Sequence, residues 1–428
     1  MLSYAPRLIA QTAPSNQTLH LTMEQIEALF LSRNLELIAE RMNVDMADAA
    51  IAQAKLWENP SLSIGDVSFW SSRGQRDGES EAIPPLFGTF GRNTQFSVEL
   101  SQMIQTAGKR RKLVRVEQAS KEVALRQFEE VLRGLKIELR SSVYQIVYLT
   151  SYRRVLAVQT EYIVGIIRTY ARQVEEGNLT KGELLRLQAM HLEIENEFNE
   201  ISTELNGQMK TLKILLNADP ALFIEITDDE QPGLSPAALS LPALIDTGLS
   251  ERPDIRMQQS NSIYYDRTLA YEKSLRAPDL NVSVGYDRWG GVWKNFVGIG
   301  IGVDIPLFNR NQGNIRAARI GRRQSDTLLR QQQQAATHEI VQAFENYVLA
   351  YGFYDRLKDN PLLKELEGMF EAYTKNLLSR NISLIEFIDG FDTYKNNKNM
   401  MLMARRNLNL QFEELQNAVG TEIKTIKQ

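Results

Sequence analysis

In Leu280-Asn-Val-Ser-Val-Gly-Tyr-Asp287 and Phe296-Val-Gly-Ile-Gly-Ile-Gly-Val-Asp-Ile305, apolar side chains alternate with small or polar ones. Leu280, Val282, Val284 and Tyr286 fall on one face, against Asn281, Ser283, Gly285 and Asp287. Val297, Ile299, Ile301, Val303 and Ile305 oppose Gly298, Gly300, Gly302 and Asp304. A period of two is the signature of a β-strand. Runs of about 9–11 such residues can cross a bilayer as tilted strands while escaping hydropathy scans. The glycine run lacks the spacing of a dinucleotide loop and reads as the small face of a strand.

Outward from these strands, the same plan recurs earlier in the chain. Leu62-SIGDVSF69 matches the first strand, although Asp66 breaks its alternation, and Gln95-FSVELS101 matches the second. There Phe96, Val98 and Leu100 oppose Ser97, Glu99 and Ser101. Trp70, Trp289 and Trp293 stand at strand ends, where a membrane girdle of aromatics belongs. A glycine opens a basic helix after each pair, at Gly108-KRRKLVR and Gly313-NIRAARIGRR. Asn178-LTKGELL matches Asn381-ISLIEFI at one constant offset, which Asn217 and Gly420 keep. Landmarks in the same order in both halves mean an internal duplication. The expected layout is a flexible arm over 1–20 and a first repeat over 21–217, with strands at about 61–70 and 93–101 and a helical hairpin over 108–217 with its tip at 177–183. An equatorial insert over 218–250 contains the helix-breaking Pro232 and Pro236. A second repeat over 251–428 has strands at about 279–288 and 296–305 and a hairpin over 313–420 with its tip at 380–386.

No proline interrupts Gly108–Gly177 or Gly313–Asn360, and good helix formers dominate both. At 1.5 Å per residue the first would be ~100 Å long, too long for a compact globule. Val131, Leu135, Leu139, Val143, Ile146 and Leu149 recur at three- and four-residue steps, as a coiled-coil seam requires. Pro361 is expected only to kink the second hairpin. The fold class is therefore mainly α with a transmembrane β part. Four strands cannot close a barrel, and lipid does not tolerate open edges. Three copies supply about twelve strands, so a homotrimer is expected, with its long helices gathered into an α-barrel.

Composition excludes other classes. Basic and acidic residues nearly balance, 49 against 53, so nothing favours a nucleic-acid partner. The absence of cysteine removes disulfides, thiolate metal sites and a lipid-anchored N-terminal cysteine. No run of 18 apolar residues exists, so no transmembrane helix is expected. The start, MLSYAPRLIAQTAPSNQT, has no apolar h-region, so a signal peptide has been removed or the true start lies upstream. His20, His191 and His338 are scattered, and Met400, Met401 and Met403 read as packing residues, so no metal site or cofactor is expected. There is no serine elbow, phosphate loop or histidine–carboxylate cluster for an enzyme.

Together these residues resemble the TolC-type outer-membrane efflux family over roughly Leu21 to Glu422. The resemblance rests on the duplicated plan, Arg252-Pro-Asp-Ile-Arg256, Asp304-Ile-Pro-Leu-Phe308 and the two tips. Gly108-Lys-Arg-Arg111 is similar to the branch of CzcC-like or CusC-like channels serving heavy-metal cation efflux. The resemblance implies a passive outer-membrane duct with a periplasmic extension in a Gram-negative bacterium, docked to a periplasmic adaptor and an inner-membrane pump of the resistance–nodulation–division kind. A drug or type I secretion duct of the same fold is the alternative, and an envelope-spanning structural coiled coil is the alternative of another class.

Glu386 and Asp389 fall on the family's paired aperture carboxylates, which three-fold symmetry would turn into rings; Asp392 adds a further turn and Glu183 is the first tip's equivalent. The competing reading is a solvated helix face. The residues of the family's closed-aperture lock do not appear; Leu377 and Ile382 occupy those positions. Gly177, Asn178, Leu179, Asn381, Ile382 and Ser383 are the candidates for adaptor contact, although turn chemistry alone would account for the Gly and Asn. Lys109, Arg110, Arg111, Lys112 and Arg115 read either as neighbours of lipid phosphates or as a solvated face.

Overall fold

A computed structural model describes residues 18–68, 95–227, 234–290 and 293–423. The elements in chain order are β1 (Thr18–Leu21), α1 (Met23–Arg33), α2 (Leu35–Ala54), β2 (Ser61–Ser68), β3 (Gln95–Ile104), α3 (Lys109–Glu175) and α4 (Lys181–Leu215). They continue with β4 (Phe223–Ile226), a 3-10 turn at Pro236–Ala238, α5 (Leu241–Glu251), α6 (Pro253–Ser274), β5 (Leu280–Gly290), β6 (Trp293–Val303), α7 (Gln312–Lys358), α8 (Pro361–Leu378) and α9 (Leu384–Val419). These fall into two compact units, one of Asn43–Arg126 with Met257–Arg330, the other of the remainder.

The first unit holds an antiparallel sheet in the order β2-β3-β5-β6. Its register sets Leu62 beside Leu100, Leu100 beside Val284 and Val284 beside Ile299, so all four strands turn their apolar residues to one face. Gly65 beside Ser97 and Ser283 beside Gly300 keep the other face small. The apolar face is bare on the single chain: Ile299 is 77% and Ile301 72% exposed. Asp66 sits at φ 49° where the β2–β3 register slips between Gly65 and Ser68. The broken alternation is thus a bulge, with the Asp66 carboxylate accepting from Ser97 Oγ at 3.0 Å.

The second unit is mainly helical. Leu135, Leu139, Val143, Ile146 and Leu149 of α3 are buried and Val131 is half-buried, and the seam runs on through Tyr152, Leu156, Ile163 and Ile166. Leu187, Met190 and Ile194 of α4 join it. Asn34 donates to Leu215 O at the end of α4, and Arg252 donates to Ala418 O near the end of α9, each at 2.9 Å. The duplicated halves thus close their helix ends on polar side chains at matching places. Leu244 of α5 packs with Ile340, Tyr347 and Leu415.

Three expectations need correction. Residues 18–20, assigned to a flexible arm, form β1, which pairs in parallel with β4 through Leu21 beside Ile226. Buried Leu21 and the main-chain bonds to a segment some two hundred residues away hold it there. Pro361 does more than kink its hairpin, because α7 stops at Lys358 and α8 restarts at Pro361. A proline has no N–H to donate and its ring clashes with the carbonyl four residues back. Finally, α7 opens at Gln312, ahead of Gly313, following Asn311 at φ 56°. Asn311 tolerates this left-handed turn and anchors it by donating to Glu272 O at 2.9 Å.

Candidate functional site: two helix tips and their carboxylates

Within the helical unit the two tips are built alike. After α3, Gly177 takes φ +72° and the Asn178 N–H reaches back to Gln173 O at 2.8 Å. After α8, Arg380 takes φ +61° and the Asn381 N–H reaches Asn376 O at 2.8 Å. Thr180 and Ser383 then cap α4 and α9. Each accepts the N–H of the glutamate three residues on, at 3.3 Å for Glu183 and 3.2 Å for Glu386. Each glutamate in return accepts the cap's own N–H, at 3.1 Å for Glu183 and 2.7 Å for Glu386. Both tips are therefore reciprocal capping boxes, and their Ser/Thr-x-x-Glu signature stands in the sequence.

This gives Glu183 and Glu386 a role that neither the ring nor the solvated-face reading contains. The Ser383 main-chain N–H, then its hydroxyl, hold the Glu386 carboxyl below the ordinary carboxylate range. Asp389 and Asp392 are exposed further along α9. Beneath them Leu384, Phe387 and Phe391 are buried and share a core with Leu377, Leu187 and Tyr170. Leu377 and half-buried Ile382 thus serve packing; Leu179 also joins this core, while Gly177, Asn178, Asn381 and Ser383 stay exposed. Thr180→Ala removes one cap and is expected to cost about 1 kcal/mol, read as a lower denaturation midpoint with an unchanged slope.

Arg380 was not singled out from the sequence. Its Nη2 donates to Gln173 Oε1 at 3.1 Å and to Asn178 O at 3.3 Å, so the second tip holds the first. A non-glycine residue in the left-handed region, where the first tip uses Gly177, is the signal that would have found it.

The remaining candidates are dispersed. Trp70 lies outside the described residues. Trp289 in β5 lies opposite Lys294, and Trp293 in β6 opposite Gly290, at the hairpin end of those strands. Lys109 is buried, its Nζ 2.6 Å from the Asp279 carboxylate and 2.7 Å from Ala277 O, which takes it out of the basic surface cluster. Met400 and Met401 are half-buried and Met403 is exposed. Among the described residues no group of three or more His, Cys, Asp or Glu side chains could hold a metal ion, and no helix is long and apolar enough to cross a membrane.

Residues 28–218 match the model of the family described as outer membrane efflux protein. The chain is 24% identical over 306 residues to the cobalt-zinc-cadmium resistance protein CzcC of Cupriavidus metallidurans, covering 70% of this chain and 66% of that one. It is also 24% identical over 288 residues to the nickel-cobalt-cadmium resistance protein NccC of Alcaligenes xylosoxydans xylosoxydans, covering 66% of this chain and 60% of that one. The chain thus spans just under two thirds of the curated relatives it matches. Its fold is that of the Campylobacter jejuni CmeC outer membrane channel, with a TM-score of 0.77 at 15% identity over 95% of this chain and 87% of that one.

Proposed function

We propose that this chain, whose residues 28–218 match the outer membrane efflux protein family, is one protomer of a trimeric, non-enzymatic exit duct in the outer membrane of a Gram-negative cell. The observation that carries this reading is the four-stranded sheet. It has two open edges, β2 and β6, among the described residues, and a bare apolar face. Open edges are not tolerated in lipid and the apolar face is not stable in water; three copies closing edge to edge at about twelve strands remove the edges and leave the apolar face to the bilayer. The apolar residues then face lipid. The Ser and Gly residues with Glu99 face a watery lumen, through which solutes pass passively.

In this arrangement residues 218–250 form a belt around the helices and the tips lie at the periplasmic end. Gly177, Asn178, Leu179, Asn381, Ile382 and Ser383 meet a periplasmic adaptor there, which links the duct to an inner-membrane pump of the resistance–nodulation–division kind. Rings of Glu386, Asp389, Asp392 and Glu183 draw cations toward the aperture. The cargo we propose is divalent heavy-metal cations, supported by the names of the two relatives.

The test is the mass of the detergent-purified protein and its current in planar bilayers. A trimer with stepwise ion conductance is expected. A monomer, or a trimer that inserts without current, would overturn the duct and leave a structural scaffold.

A further inference from the structure

Where the sheet meets the helices of its own unit, the residues before β2, the end of β3 and the start of α3 enclose a cleft of about 230 Å³. It is lined by Leu56, Trp57, Glu58, Met103, Arg110 and Arg111, among others. We propose that this cleft is a binding site for the headgroup of a zwitterionic aminophospholipid, with the guanidinium groups taking the phosphate and Glu58 the ammonium. The proposal rests on the duct reading, because only a sheet embedded in lipid brings this junction to headgroup depth.

Three observations support the assignment. First, position: the alternating strand sequence ends at Ile104, and the basic run begins a few residues later, so the cleft stands where an apolar band gives way to charge. Second, the cations are prepared differently. Lys109 is withdrawn onto Asp279. The Arg110 guanidinium lies 3.8 Å over the Trp57 ring and donates to Lys55 O at 3.5 Å, which orients it without neutralising it. Arg111 is exposed and has no hydrogen-bonding or ionic partner among the described residues. Two guanidinium groups, one oriented and one free, suit the fork geometry of a phosphodiester. Third, the remaining wall is complementary to the rest of such a lipid. Trp57 and Leu56 are 62% and 60% exposed and offer apolar surface to a glycerol backbone and upper acyl chain. Gln105 donates to the Glu58 carboxylate at 3.2 Å and Gln102 to Glu58 O at 2.9 Å, which fixes an exposed negative charge beside the two positive ones. A purely anionic headgroup would leave that carboxylate opposed to it, whereas a primary ammonium satisfies it.

The experiment uses the full-length protein released from mixed-lipid nanodiscs and read by native mass spectrometry. The nanodiscs hold equal parts of phosphatidylethanolamine, phosphatidylglycerol and phosphatidylcholine. Wild type is expected to retain phosphatidylethanolamine over both others, since phosphatidylglycerol lacks the ammonium and the trimethylammonium of phosphatidylcholine has no N–H for Glu58. R111A should lower retention of all phospholipid about tenfold, as loss of one charge-assisted contact does. E58Q should remove the preference for phosphatidylethanolamine while leaving phosphatidylglycerol bound. Equal retention of the three lipids by wild type, no response to either variant, or displacement of the lipid by millimolar inorganic phosphate would overturn the proposal. A protein that inserts and conducts but shows no lipid preference defeats this site alone; one that does not insert defeats the duct as well.

Discussion

Arg252→Met is expected to lower the free energy of unfolding by about 3–5 kcal/mol, the usual cost of removing one partner from a buried ion pair. Arg252 is 2% exposed. Its Nε and Nη2 donate to the two Asp254 carboxylate oxygens at 3.1 and 2.6 Å, and Nη1 donates to Ala418 O at 2.9 Å and pairs with Glu339 at 2.8 Å. Burial by itself pushes the Asp254 carboxyl up, but the hydrogen bonds and charge of Arg252, with Arg133 beyond, hold it below its ordinary 3.8. Methionine fills much of the volume and leaves a buried carboxylate with Gln332 at 2.7 Å as its main side-chain donor. Gly420, at a left-handed φ of 80°, closes against the same residue: a Cβ there would lie 2.9 Å from Arg252 Cα.

Guanidinium chloride unfolding followed by circular dichroism measures the loss, and Arg252→Met with Asp254→Asn should recover most of it, since a neutral pair needs no compensation. A single variant within 0.5 kcal/mol of wild type, the range of ordinary surface changes, would show that the pair holds nothing. The pH dependence has a definite sign. The folded Asp254 value lies below the unfolded one, so the pair's contribution is present above pH 3.8 and is lost as pH falls through the depressed value. Arg252→Met should abolish that acid-side loss.

Glu386→Gln combined with Asp389→Asn is expected to lower the cation-to-anion permeability ratio of the assembled duct several-fold, moving the reversal potential under a KCl gradient toward zero. The pair is a clean test because glutamine serves at the third position of a capping box as glutamate does, so the helix start survives loss of the charge. Asp389 is exposed, and the melting temperature should not change. Ser383 holds the Glu386 carboxyl below its ordinary 4.5, so each protomer presents it charged at neutral pH. An unchanged reversal potential would remove these carboxylates from the permeation path, leaving Glu386 as a cap alone.

Much of this architecture is legible in the sequence because it is written in short-range periods. Alternation at Leu280–Asp287 and Val297–Val303 places strands, and three- and four-residue steps from Leu135 to Leu149 place a buried seam. Turn chemistry at Gly177-Asn178 and at Asn381 marks where helices stop, and the repeat doubles every signal. Even the disturbance at Asp66 is visible as a broken alternation, although its meaning as a bulge needs the register to Ser97.

What the tertiary structure alone decided involves partners far apart in the chain. β1 exists because β4 offers Thr18–Leu21 a set of main-chain partners, and nothing local in a polar N-terminal stretch announces them. Lys109 belongs to Asp279 rather than to its basic neighbours, and that choice leaves Arg110 for Trp57 and Arg111 without an ionic partner among the described residues. Arg380 ties one tip to the other through Gln173 and Asn178. Local periodicity reports which face of an element is buried; it cannot report which distant charge or strand meets it there, because that contact is specified only once the loops between them have closed.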